Sequence, residues 1–174
     1  IKAKRVLVVG MGDGDALGVM AAAGAVGKAA RNSGTQNVAI DMGGMDATQT
    51  QIAVEGFVAG NYKFDRYKSG DSKKAAASQV TLLGGADAIG VSRGEAVSAG
   101  QDLARDLVNE PAEAIYPASL ADVAKSLAND QLSVEVWEED QIEAEGMGGI
   151  MGVGRGSDRK PRFIHMRDTP KGTP

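Results

Sequence analysis

Three short aliphatic runs, Arg5–Val9 (RVLVV), Asn37–Asp41 (NVAID) and Gln79–Leu83 (QVTLL), alternate with longer Ala- and Gly-rich stretches that contain no proline. This alternation is the tightest constraint on the fold. A run of about five apolar, β-branched residues bounded by turn formers reads as a buried strand, and a proline-free Ala-rich stretch reads as a helix. Strands joined through helices in this order form parallel sheets by right-handed crossovers. The first part of the chain therefore predicts an α/β fold built on a parallel β-α-β-α-β unit.

The punctuation supports that reading. Residues 11–15 (MGDGD) form a turn, and a helix runs from Ala16 to Arg31, ending near Asn32-Ser33-Gly34. Gly43-Gly44 turn the chain again, and Asp46 or Thr48 can cap a helix that reaches about Tyr62, with Ala53, Phe57 and Gly60 on one face. Residues 69–77 (SGDSKKAAA) read as a solvent loop. A long helix is predicted over 94–109, with Val97, Gly100, Ala104 and Leu107 as its apolar stripe, stopped by Pro111. A second helix begins near Pro117, where the missing N–H does no harm, and places Leu120, Val123, Ala124, Leu127 and Ala128 on one side. Leu132–Trp137 (LSVEVW) alternates as a half-buried strand. Glu138–Glu145 is a short acidic helix closed by Gly146, residues 146–157 are a Gly-punctuated segment, and Arg162–Arg167 is a last strand.

Composition excludes several function classes. The net charge of −4 gives the chain no global attraction for nucleic acid or an anionic membrane. There is no cysteine, so disulfides, thiolate metal sites and a cysteine nucleophile are excluded, and a cytosolic setting is expected. No run approaches the roughly 18 apolar residues that span a bilayer. The start, Ile1-Lys2-Ala3-Lys4, is not that of a signal peptide, and both ends read as cut.

Several motifs resemble chemical sites and fall short. VLVVGMGDGDALG suggests a dinucleotide loop, with Asp41 as the ribose-binding acid, but the third glycine position is Asp15 in one register and Leu17 in the other. Asp13 and Asp15 would also repel a pyrophosphate. Gly90-Val91-Ser92-Arg93-Gly94 matches the G-x-S-x-G nucleophile elbow, yet Arg93 supplies no general base and no oxyanion motif precedes it. His165 is the single histidine, and with Asp168 three residues along a strand it makes no metal site. The acidic run Glu138, Glu139, Asp140, Glu143 and Glu145 lacks the spacing of a calcium loop and reads as a solvated helix face. Lys63, Arg66, Lys68, Lys73 and Lys74, interleaved with Tyr62, Phe64 and Tyr67, could contact a nucleic acid strand but read as a surface loop.

Three segments resemble the leucyl (cytosol) aminopeptidase family. Glu55–Lys68 (EGFVAGNYKFDRYK) is similar to the family's E-G-x-x-x-G-x-Y-x-F-x-x-Y helix end. Ala104–Ala112 (ARDLVNEPA), followed by Pro117, resembles A-R-D-L-x-N-x-P-x-N with a later proline, departing at Glu113 where the family has Asn. Gly146–Ile150, then Val153, Gly156-Ser157 and Pro161-Arg162, resembles the G-M-G…V-x-x-G-S…P-R strand-and-turn region.

The resemblance implies three parts. Residues 1–93 would be the C-terminal part of a macro-domain-like N-terminal domain, 94–110 a linking helix, and 111–174 the start of the catalytic domain. It also implies an enzyme that releases N-terminal amino acids from peptides by two-metal hydrolysis, cytoplasmic and hexameric. There two divalent ions, Mn or Zn, would polarise the scissile carbonyl and activate a water, while a Lys and an Arg stabilise the oxyanion. The family's metal residues, first reached through a V-G-K-G-x-T-F-D strand, have no counterpart in these 174 residues. No catalytic, cofactor-binding or metal-ligating residue is therefore assigned, no metal is expected to bind, and the chain alone is expected to be inactive. The alternatives are a non-catalytic assembly module, or one that contacts DNA or protein, and, further off, a dinucleotide-binding domain.

Overall fold

A computed structural model describes residues 3–70 and 75–169. The chain divides into two compact units, Ile1–Asn109 and Glu110–Pro174.

In the first unit the order is α1 (Ala16–Ser33), β1 (Asn37–Asp41), α2 (Ala47–Asn61), β2 (Gln79–Leu83) and α3 (Ala88–Asn109). β1 and β2 pair in parallel, with Asn37 opposite Gln79 and Asp41 opposite Leu83. One face of this ribbon carries Val38, Ile40 and Leu82 against α1 and α2, where Val19, Ala23, Ala53 and Phe57, with Met45 just before α2, complete the core. The other face is exposed at Ala39, Thr81 and Leu83, so only Ile40 of the two strands is fully buried. α1 ends at Gly34, whose φ of 68° lets its amide reach back to the carbonyls of Ala30 and Arg31. α2 opens with a capping box: Gln49 N–H donates to Asp46 Oδ1 at 2.8 Å, and Asp46 N–H donates to Gln49 Oε1 at 3.3 Å.

Two expectations are corrected here. The first predicted strand, Arg5–Val9, does not form: Val6, Leu7 and Val8 are 72, 57 and 89% exposed and join no sheet among the described residues. A β-branched run becomes a strand only beside a neighbour that bonds its amides, and β1 and β2 bond only each other. The long helix starts at Ala88, six residues earlier than expected. Asp87 Oδ1 accepts from the amides of Ile89 and Gly90, both at 2.9 Å, and so caps it.

The face of α3 that packs is also not the apolar stripe. Val97 stays 49% exposed, while Gly90, Gly94 and Ser98 are buried. A Cβ at Gly90 would overlap the Ala47 carbonyl, and one at Gly94 would lie 2.7 Å from Val54 Cβ. The absence of side chains at these positions lets α2 and α3 touch backbone to backbone. The α1–α2 contact works the same way: a Cβ at Gly27 would overlap the Phe57 carbonyl, one at Gly56 the Met20 carbonyl, and one at Gly60 the Gly24 carbonyl.

The second unit holds α4 (Pro117–Ser126), β3 (Leu132–Trp137), α5 (Glu139–Ala144), α6 (Gly148–Gly154) and β4 (Phe163–Asp168). β3 and β4 pair antiparallel, with Leu132 opposite Asp168 and Trp137 opposite Phe163. Ala121, Ala124, Ile142 and Met151 are its buried apolar residues. Gly146, at φ 69°, follows α5 as expected. The Gly-punctuated segment beyond it is helical over α6 rather than strand and turn. Met151 is buried on its inner side, and Gly154 is bare where Pro161 packs, 2.9 Å from where a Cβ would stand. Four glycines at 148, 149, 152 and 154 hide this helix from propensity arguments. No helix among the described residues is long and apolar enough to cross a membrane.

Candidate functional site: a polar junction at Tyr62

Several partnered polar side chains of the first unit gather where α2 ends. Tyr62 Oη donates to Asp106 Oδ1 at 2.8 Å and accepts from Asn109 Nδ2 at 3.1 Å. The Arg105 guanidinium stands 5.2 Å from the centre of the Tyr62 ring and donates to the Ala59 carbonyl at 3.3 Å. Arg31, in the last turn of α1, donates to the Tyr62 carbonyl at 2.8 Å. α2 has no basic residue in its own last turn. Arginines from α1 and α3 supply the positive charge that a helix C-terminus favours.

Beside this junction lies a cavity of about 540 Å³, bordered by Asn61, Tyr62, Asp65, Asp102 and Asp106 among others. Burial raises the Tyr62 pKa above the usual phenol value, and the hydrogen bond to Asp106 adds to the rise. Burial also raises the Asp102 pKa, against the lowering pull of Arg105, whose Nη1 lies 3.9 Å from Asp102 Oδ1. The junction therefore holds a phenol that keeps its proton and two carboxylates. It places no nucleophile beside a base.

The motif residues fall elsewhere. Asp15 Oδ1 accepts from Gly18 N at 2.8 Å, so a carboxylate takes the first-turn amide that a phosphate would need. Asp41 accepts from Gly43 N at 3.1 Å within its own turn. Ser92 is an exposed residue inside α3, with no strand-to-helix turn to project it. His165 lies in β4 opposite Glu135, 3.9 Å from its carboxylate, with a half-exposed side chain. The acidic run is met by bases from the following segment: Arg162 to Glu138 at 3.5 Å, Lys160 to Glu139 at 3.0 Å, and Arg155 to Glu143 at 3.8 Å. In the basic stretch Lys63 pairs with Asp65 at 2.7 Å, and the Phe64 and Tyr67 rings lie 5.9 Å apart. Lys73 and Lys74 lie outside the described residues.

Glu113, the departure in the second motif, also has a use. It sits in a turn closed by Ala114 N and Ile115 N on the Pro111 carbonyl, at 2.8 and 3.0 Å. Its carboxylate accepts from Arg159 at 3.0 Å, while the same guanidinium donates to the Ala112 carbonyl at 2.7 Å and covers the Tyr116 ring at 4.2 Å.

Among the described residues no three His, Asp or Glu side chains form a group that could hold a metal ion. The described residues therefore offer no donor set that fits a two-metal centre.

Comparison with known proteins finds two patterns of one family along the chain. The sequence pattern of the N-terminal domain of the cytosol aminopeptidase family matches residues 1–71, and that of its catalytic domain matches residues 102–174. A probable cytosol aminopeptidase of Synechococcus sp. is 37% identical over 177 residues, covering 98% of this chain and 36% of the relative. Among solved structures, the bottromycin maturation enzyme BotP superposes with a TM-score of 0.77 at 30% identity, over 90% of this chain and 35% of that one. A tomato leucine aminopeptidase variant gives 0.75 at 28% identity, over 90% and 34%. The fold is thus that of the leucine aminopeptidase-like α/β proteins. This chain belongs to the cytosol aminopeptidase family, and it spans about a third of the length of the relatives it matches.

Proposed function

We propose that these 174 residues are a segment of a leucyl-type metalloaminopeptidase, which releases N-terminal amino acids from peptides by two-metal hydrolysis, and that the segment alone is inactive. The observation that carries this reading is the succession of the two family domains along a chain whose described residues offer no metal-holding group. In this reading residues 1–93 form the C-terminal part of the N-terminal domain, 94–110 the linking helix, and 111–174 the start of the catalytic domain. One related structure, BotP, is described as a complex with Mn, which favours a divalent ion in the whole enzyme. Mn and Zn are the candidates, and the whole enzyme would be a cytoplasmic homo-oligomer, a hexamer by resemblance.

In this reading no residue among the described ones routes a catalytic step. Its residues supply scaffold: α2 and α3 pack through glycines, and the Tyr62 junction ties their ends. Purified chain incubated with leucine amide and Mn²⁺ or Zn²⁺ is expected to release no leucine above the metal-only control. Hydrolysis at an ordinary enzymatic turnover of about 1–1000 per second would defeat the reading.

A further inference from the structure

We infer that Tyr62, Arg105, Asp106 and Asn109 form a latch that governs the opening of the last turn of α3 separately from the rest of that helix. The two halves of α3 are held by different physics. The first half lies backbone to backbone on α2 at Gly90 and Gly94, where a Cβ would meet Ala47, Thr50, Gln51 or Val54. Such contact yields only when the helices part. The second half has no such glycine contact: a Cβ at Gly100 would meet nothing within 4 Å, and Leu103 and Leu107 are only half-buried. Val108 is 84% exposed, and Asp102 and Asp106 border the cavity instead of filling it.

The polar groups that tie the end of the helix converge on one side chain. The Tyr62 hydroxyl is bonded to Asp106 and Asn109, its ring is covered by Arg105, and its carbonyl is fixed by Arg31 of α1. A helix end tethered by a few hydrogen bonds opens at lower free energy than a packed one. Removing the phenol oxygen would release two of those bonds together without creating a large cavity. The latch joins the motif around Tyr62 to the motif around Arg105-Asp106. They are the two halves of one contact across 44 residues of sequence.

The test is amide hydrogen exchange on the full chain. Tyr62→Phe is expected to speed exchange of the amides of residues 105–109 by about tenfold or more, the loss of two net hydrogen bonds. Amides 94–98 should be unchanged. Asp106→Asn, which keeps an acceptor for the phenol, should retain most of the protection. Asn109→Ala removes one of the two bonds and should give an intermediate rate, and it serves if Tyr62→Phe does not fold. Unchanged exchange at 105–109, or an equal rise across α1, α2 and α3, would overturn the latch.

Discussion

Gly60→Val is expected to lower the stability of the first unit by about 3 kcal/mol, the upper part of the usual overpacking range. Any Cβ at position 60 would run into the carbonyl of Gly24 and come within 3.0 Å of its Cα, and neither can rotate away. The damage also spreads. Gly27 and Gly56 meet the backbone of the facing helix in the same contact, so moving α1 off α2 at Gly60 loosens the core around Val19, Ala23, Ala53 and Phe57. For a unit of this size the loss corresponds to a fall in Tm of roughly 12–24 °C. Gly100→Ala is the matched control. It lies in α3 with nothing within 4 Å of a new Cβ, so it should be neutral or gain up to about 1 kcal/mol from better helix propensity. If Gly60→Val melts with the parent chain, the close backbone contact does not organise this unit.

Ile142→Ala should act on the second unit alone and cost about 2–5 kcal/mol. Ile142 is 0% exposed, with Met151 of α6 and Ala121 and Ala124 of α4 the unit's other buried apolar residues. A unit of this size rarely holds more than about 3–5 kcal/mol in all, so this single cavity is enough to unfold it. Trp137 is the only tryptophan, and its ring lies 5.1 Å from that of Phe163 across the β3–β4 pair. Its fluorescence therefore reports this unit. The expected outcome is a red-shifted Trp137 emission in Ile142→Ala, with the helical signal of the first unit retained. A native emission spectrum would mean that the β3–β4 pair holds without the helix core.

What the sequence makes legible follows how locally each feature is encoded. β3, predicted over Leu132–Trp137, forms over those residues, because its alternation is a direct image of one covered face. β1 and β2 also match their runs, since five-residue aliphatic stretches between turns have few other uses. Arg5–Val9 has the same local signal and no strand, because strand formation needs a partner that local sequence does not contain. The start and face of α3 were hidden for a different reason. Gly90 and Gly94 look like breaks in a helix, and only the approach of α2 shows that they are its contact surface. The Tyr62 junction was half visible. Its members stand in two recognisable motifs, but no spacing rule brings residues 62 and 106 together, and only the helix pairing does. The look-alike sites fail on nearest neighbours that the sequence already hinted at, such as Asp15 on its own helix cap.

On the proposed reading, this chain is scaffold without the metal site of its family. Equilibrium dialysis of the untagged 174-residue chain against micromolar Mn²⁺ or Zn²⁺, with metal content read by elemental analysis, tests it most directly. The expected result is no metal retained above the buffer level, because no three donor side chains converge among the described residues. Stoichiometric retention of one or two ions per chain, abolished by a single Asp or Glu substitution, would contradict it.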